Sequence, residues 1–273
     1  MDTTAIDAAI AALLAPLPGR PEPSSGSTLA AELFELQRDQ LAQLASSEQS
    51  SDLALIYDRL CAGSPAWTFE QLHIDPEACS RLWASAVELC LRDGALTSEQ
   101  AEQLRRAGAS SEQLMRLAAE WYEHPQGGTT SGARALLPEM REISTKPWLW
   151  AAAARARPAL ARVEWTQRVC PVCGDNPDVA VMHRDGRRTL VCGRCDTSWT
   201  WKPVGCPYCD GGGSSVEYHE GPVRGYYLQA CQRCHRGLKT VDESVIGDEI
   251  VPAAERVYAA HLDDLAAQLN VAP

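Results

Sequence analysis

The sequence has no apolar run approaching the ~20 residues a bilayer-spanning helix needs, and this excludes an integral helical membrane protein. It lacks an excess of basic residues: 25 Lys and Arg stand against 36 Asp and Glu, for a net charge of −11. A phosphate-binding surface normally carries a clear positive excess, so nucleic acid is a poor partner for this chain. No basic residue precedes Arg20, which is the opposite of a secretory leader, and no twin-arginine pair lies near the start. The expected location is the reducing cytoplasm, where clustered cysteines mean metal more often than disulfide. No P-loop, GxGxxG, Ser-His-Asp order or supported pair of carboxylates is present, and no enzymatic activity is expected.

What is there is cysteine, and it is arranged. Eight of the 11 cysteines form four CxxC pairs, Cys170/Cys173, Cys192/Cys195, Cys206/Cys209 and Cys231/Cys234, separated by 18, 10 and 21 residues. Two thiolates two residues apart can grip one edge of a tetrahedral metal, and two such pairs close a four-thiolate site. Redox dithiols are the bland rival, but four matched pairs are a surplus for redox chemistry. Sequential pairing assigns Cys170, Cys173, Cys192 and Cys195 to one metal, and Cys206, Cys209, Cys231 and Cys234 to the other. Each site then encloses one hairpin-sized insert. The expected cofactors are iron or zinc, since both accept tetrahedral sulfur. A site closed by four sulfurs leaves no position for a catalytic water.

Charge and periodicity divide the chain. Residues 1–168 carry 15 basic and 22 acidic side chains, residues 169–240 carry 9 and 7, and residues 241–273 carry 1 and 7. The first stretch reads as helical. Ile6, Ile10, Leu13 and Leu14 share a face, and a Pro/Gly/Ser linker covers 16–26. Ser27 is the expected cap of a helix to about 46 bearing Leu29, Leu33, Leu36, Leu41 and Leu44. Leu53, Ile56 and Leu60 mark a third helix. Asp75, Pro76 and Gly94 bracket a fourth, and Thr97/Gln100 and Ser110/Gln113 start two more. His124–Gly132 reads as a loop. A further helical stretch over 134–166 is expected to break near Pro138, Pro147 and Pro158.

Past Val169 the pattern becomes strand-like. Val179–Arg184 and Arg187–Val191 flank Asp185-Gly186, a type I′ hairpin signal. Thr197–Trp201, Ser215–His219 and Tyr226–Gln229 alternate like strands, and helix returns after Pro252. The expected fold class is α+β: a helical domain (1–166), two small β-rich ribbons (167–203 and 204–250) and a C-terminal helix (251–273). Cys61, Cys79 and Cys90 read as core residues, and His183, His219 and His235 as surface residues. Trp199, Trp201, Tyr208, Tyr218, Tyr226 and Tyr227 read as filling for thin ribbons sooner than as a base-stacking platform. Because such ribbons are too thin to hold a core alone, serine at Cys170 and Cys173 is expected to unfold the first ribbon and leave 1–150 helical.

The motifs C-P-V-C-G (170–174) and R-R-T-L-V-C-G-R-C-D-T-S-W (187–199) resemble the signature of the formate dehydrogenase accessory protein FdhE family. The likeness continues through C-P-Y-C (206–209), A-C-Q-R-C (230–234) and Leu238-Lys239 to Leu262-Asp263-Asp264. It departs at Gln229, where the family usually has an acid, and at Gly237, where it tends to have an aromatic. The resemblance implies rubredoxin-like ribbons holding iron or zinc on a helical domain. It also implies a cytoplasmic maturation factor that binds the formate dehydrogenase catalytic subunit without catalysis of its own. Exposed members of Trp199, Trp201, Tyr226 and Tyr227 would be its first anchors. A nucleic-acid-binding zinc ribbon and a rubredoxin-like redox protein are the alternatives, and a homodimer is left open.

Overall fold

The computed structural model describes residues 1–45, 53–123, 137–247 and 250–272. Helix α1 (Thr3–Leu14) is capped by Asp2, whose carboxylate accepts the Ala5 amide. It buries Ile6, Ile10 and Leu13, while Leu14 falls on the solvent side. Helix α2 (Ser25–Ala45) is capped three residues before the expected Ser27, because Ser24 Oγ takes the Ser27 amide (3.3 Å). Two faces of α2 are used. Ala31, Phe34 and Leu41 pack into one core, and Leu29, Leu33, Leu36 and Leu44 lie against another. Helix α3 (Leu53–Cys61) follows, burying Ile56 and Leu60. Helices α4 (Pro76–Arg92) and α5 (Ser98–Ala107) begin where their caps, Asp75 and the Thr97/Gln100 box, place them, and α6 (Ser111–Glu123) starts after Ser110. The expected loop at 124–132 lies outside the described residues.

The prolines do not interrupt the seventh helix. Helix α7 (Leu137–Leu160) runs through Pro147 and Pro158. Pro147 has no amide to offer the Ile143 carbonyl one turn back. The fully buried Gln37 of α2 supplies the missing donor: its Nε2 reaches Ile143 O at 2.9 Å. Gln37→Leu therefore leaves that part-buried carbonyl without its side-chain donor, an expected loss of about 1 kcal/mol or more. Urea unfolding checks it, and a change within error would show that the helix tolerates Pro147 without Gln37.

Among the described residues, six strands form one sheet in the order β3-β2-β1-β6-β5-β4. They are β1 (Pro177–Met182), β2 (Arg188–Cys192), β3 (Ser198–Trp201), β4 (Val216–Glu220), β5 (Tyr226–Cys231) and β6 (Gly237–Asp242). The two ribbons are thus continuous with each other. The join is β6, a strand that the sequence reading left out, which pairs parallel to β1 and antiparallel to β5. The β1–β2 turn is not type I′. Gly186 donates to His183 O and has φ 81°, whereas Asp185 is absent from the positive-φ residues. Those features describe a type I turn closed by a left-handed glycine.

Both faces of the sheet are covered, as its period-2 pattern demands. Ala180, Leu190, Trp199, Trp201 and Leu238 face a core shared with α3 and α7. Val179, Val191, Tyr226 and Val241 face one shared with α1, α2 and the C-terminal helices. The third core lies among α4, α5, α6 and their neighbours. Helix α8 (Glu243–Ile246) follows β6. The C-terminal helix is broken into α9 (Pro252–Tyr258) and α10 (Leu262–Gln268) by a 3₁₀ turn at Ala259–His261. The chain then returns to the sheet, where Ala272 bridges Arg236.

Candidate metal centres

Each CxxC pair makes the same turn. The amide four residues after the first cysteine returns to that cysteine's carbonyl: Gly174 to Cys170, Asp196 to Cys192, Asp210 to Cys206 and His235 to Cys231, at 2.9–3.0 Å. The first cysteine's amide in turn bonds the carbonyl five residues on, in Asp175, Thr197, Gly211 and Arg236. The residue after the second cysteine sits in the left-handed region, with φ 77°, 53°, 56° and 55° at Gly174, Asp196, Asp210 and His235. Glycine, aspartate and histidine are among the residues that tolerate this conformation. Gly174 is further constrained, since a Cβ there would meet Pro65 Cγ at 2.9 Å. His235 therefore has a backbone role, with its side chain exposed.

The four turns meet in two clusters: Cys170, Cys173, Cys192 and Cys195 in one, and Cys206, Cys209, Cys231 and Cys234 in the other. The grouping is the sequential one, and β1–β2 and β4–β5 bring its halves together. In the first cluster Cys170–Cys195, Cys173–Cys192 and Cys173–Cys195 Sγ distances are 3.4, 3.5 and 3.7 Å. In the second, Cys206–Cys234 and Cys209–Cys231 are 3.6 and 3.7 Å. An ion about 2.3 Å from four tetrahedral sulfurs sets them roughly 3.8 Å apart. Both groups fit one metal ion each, and four-sulfur ligation suits zinc and iron alike.

Burial pushes the Cys170 and Cys173 thiols well above their ordinary value. It acts the same way on Cys195, but hydrogen-bond contacts with Cys170, Cys173, Cys192 and Thr197 hold that sulfur well below it. At Cys231 the Cys234 and Arg233 amides outweigh burial and bring the thiol to about 7. A metal taking these sulfurs displaces their remaining protons.

The clusters differ in their surroundings. All four sulfurs of the first are buried, and helical elements enclose it. The Ala66 and Trp67 amides bond the Pro171 and Val172 carbonyls of its first turn, at 2.8 and 3.1 Å. Lys146 Nζ reaches Gly193 O (3.0 Å), and Trp150 Nε1 reaches Asp196 (2.7 Å). Arg194, fully buried, donates to Tyr122 O and Trp121 O, lies over both rings and pairs with Asp175 at 3.2 Å. Burial pushes the Asp175 carboxyl up to about 6 against the pull of Arg194. In the second cluster Cys209 and Cys234 are half-buried. The first ribbon meets it at Tyr208, whose Oη donates to Pro177 O (3.0 Å) and whose carbonyl accepts from Arg168, while Tyr208 Oη also reaches Gly237 O of β6 (3.2 Å).

The other cysteines stand apart. Cys79 donates to Ser144 O, and burial pushes its thiol up to about 12; Cys90 is also buried, whereas Cys61 is exposed. His183 is no spare surface residue, since its ring bridges Glu243 (3.2 Å) and Thr189 (2.8 Å). His219 sits beside Glu217. Trp199, Trp201 and Tyr226 are buried and Tyr227 half-buried, so they offer neither a stacking platform nor the expected anchors. Tyr218 (44% exposed) and Val204 (56%) are the large apolar side chains that the second ribbon presents instead. The buried arginines Arg188 and Arg194 were not singled out by the sequence reading. Their only signal in the sequence is position: Arg188 lies four residues before Cys192, and Arg194 lies inside the Cys192–Cys195 knuckle.

No protein-family model matches the chain. Among curated proteins, an FdhE homolog of Haemophilus ducreyi is 32% identical over 100 residues, 34% of this chain and 32% of that protein. The FdhE protein of an Escherichia coli strain (O1:K1 / APEC) is 29% identical over 126 residues, 43% of this chain and 37% of its own length. The matched stretch thus spans about a third of these relatives. The crystal structure of FdhE from Pseudomonas aeruginosa superimposes with a TM-score of 0.68 at 19% identity, covering 100% of this chain and 94% of that one, a likeness of fold.

Proposed function

We propose, for a chain related to the FdhE family in sequence and sharing the fold of an FdhE protein, that it is an accessory factor in formate dehydrogenase maturation. In this reading it binds the catalytic subunit in the cytoplasm and performs no catalysis itself. Cys170, Cys173, Cys192 and Cys195 hold one iron or zinc ion, and Cys206, Cys209, Cys231 and Cys234 the other. The observation that carries the proposal is the pair of four-cysteine clusters set into an FdhE-like fold. A closed four-sulfur site shapes a surface and leaves no open position for substrate. That suits a protein that holds another protein. The half-buried Cys209 and Cys234 favour, as a second reading, electron exchange at the second ribbon.

In cells lacking the protein, the formate dehydrogenase polypeptide should accumulate while formate oxidation falls to a small residue. Immunoblot and activity assay check this together. Normal formate oxidation in a deletion strain without a second copy of the gene would overturn the proposal. Val204→Ser should weaken capture of the catalytic subunit while both metals are retained.

A further inference from the structure

Among the described residues, the side chains of Arg20, Arg188, Arg194 and Arg256 are fully or largely buried in distinct networks, and three of them meet a carboxylate. Arg20 pairs with Glu255, Arg194 with Asp175, and Arg256 with Asp178 and Asp196. The fourth, Arg188 on β2 of the first ribbon, is 0% exposed and makes no ion pair among the described residues. Its Nη1 donates to Gly205 O (2.9 Å) and its Nη2 to Gln229 Oε1 (2.6 Å). Gln229 Nε2 also donates to Gly205 O (3.2 Å), and Tyr218 Oη donates to Gln229 Oε1 (3.2 Å). Gly205 immediately precedes Cys206, and Gln229 lies two residues before Cys231. One side chain from the first ribbon therefore ties together the two knuckles of the second cluster.

A buried cation without an anion is costly. The guanidinium lies 5.7 Å from the Trp201 ring centroid, and the Gly205 carbonyl it binds is directly joined to Cys206 of the second cluster. Four thiolates around a divalent ion leave that cluster a dianion. The missing counter-charge would then be the loaded site itself.

We propose that Arg188 is the positioning residue of the second metal site, joining its two knuckles and supplying the positive charge against which the four-thiolate centre is held. It makes loading of the second ribbon depend on a folded first ribbon. The inference rests on the reading of the cysteine clusters as metal sites.

The test uses the purified full-length protein, its metal content, and the rate at which a chromogenic chelator removes each ion. Alkylation of the freed cysteines identifies the site that opens. Outer partners of metal ligands typically contribute about 10- to 100-fold in affinity. Arg188→Gln should speed release from Cys206, Cys209, Cys231 and Cys234 by that order and leave the first site unchanged, and Arg188→Lys should recover part of it. Gln229→Glu keeps the shape but gives Arg188 a carboxylate of its own, so it too should speed release. It still reads out if Arg188→Gln fails to fold. Wild-type release rates in the Arg188 variants would overturn the proposal, as would slower release in Gln229→Glu, which would make Arg188 a structural tie alone. Fewer than two ions in the wild-type protein would instead overturn the metal reading beneath it.

Discussion

Serine at Cys170 and Cys173 is expected to cost the whole protein its fold, not the first ribbon alone. The first cluster's sulfurs lie in one hydrophobic core with Ile56 and Leu60 of α3 and Leu149, Ala152 and Ala156 of α7. A structural zinc site can contribute roughly 10–16 kcal/mol, while whole domains are stable by about 5–15 kcal/mol. Removing it from a shared core leaves too little to hold either side. The sequence alone suggests that residues 1–150 stay helical in this variant, whereas the shared core leads to the opposite expectation. Cys206→Ser with Cys209→Ser should behave differently, because the second cluster is half-exposed and packs on the first ribbon. That variant should keep most helical signal and one metal ion. Circular dichroism and metal analysis of the two double variants decide the matter. Equal retention of helix in both would show that the first cluster is no keystone.

The parts of this architecture that could be read from the sequence are those whose causes are local. Asp75-Pro76 and the Thr97/Gln100 box fix helix starts because cap and amide lie within a turn of each other. The knuckles are likewise self-contained, since each closes its own hydrogen bonds within six residues. Pro147 misled because its consequence is settled by Gln37, on a helix far away in sequence. Strand β6 was missed because its justification is pairing: Val179 and Lys239 align only once both ribbons are in place. Most of the aromatic residues read correctly as filling, with Trp199 and Trp201 buried against α3 and α7, whereas Tyr218 is exposed. Treating some of them as exposed anchors failed for the same reason, because the helical domain covers the face they lie on. In the sequence Arg188 and Arg194 are basic residues like any others, and only the fold reveals that both are buried.

Arg256→Met should be the most damaging substitution outside the cysteines. Arg256 on α9 donates to both carboxylate oxygens of Asp178, to Asp196 Oδ1 (2.6 Å) and to Cys192 O (3.1 Å). It thereby fastens the C-terminal helix to the first ribbon at the base of a knuckle. Asp196 is almost fully buried; burial pushes its carboxyl up, and Lys146 and Arg256 pull it back below the ordinary range. Methionine keeps much of the stem packing but leaves that carboxylate with Lys146 at 3.5 Å and Trp150 at 2.7 Å. Removing one partner of a buried ion pair typically costs about 3–5 kcal/mol. Arg38→Met breaks a comparable set of pairs, to Asp7 and Asp39, but with side chains 32%, 57% and 67% exposed. Solvent screening limits that loss to about 1 kcal/mol or less. Urea unfolding of the two variants separates the cases: the Arg256 variant should lose several times more stability, with protease cleavage first appearing near α9. Similar losses in both would mean that the buried charges do not fasten the C-terminal helix, and that the apolar contacts of Ala253, Ala254 and Tyr258 hold it unaided.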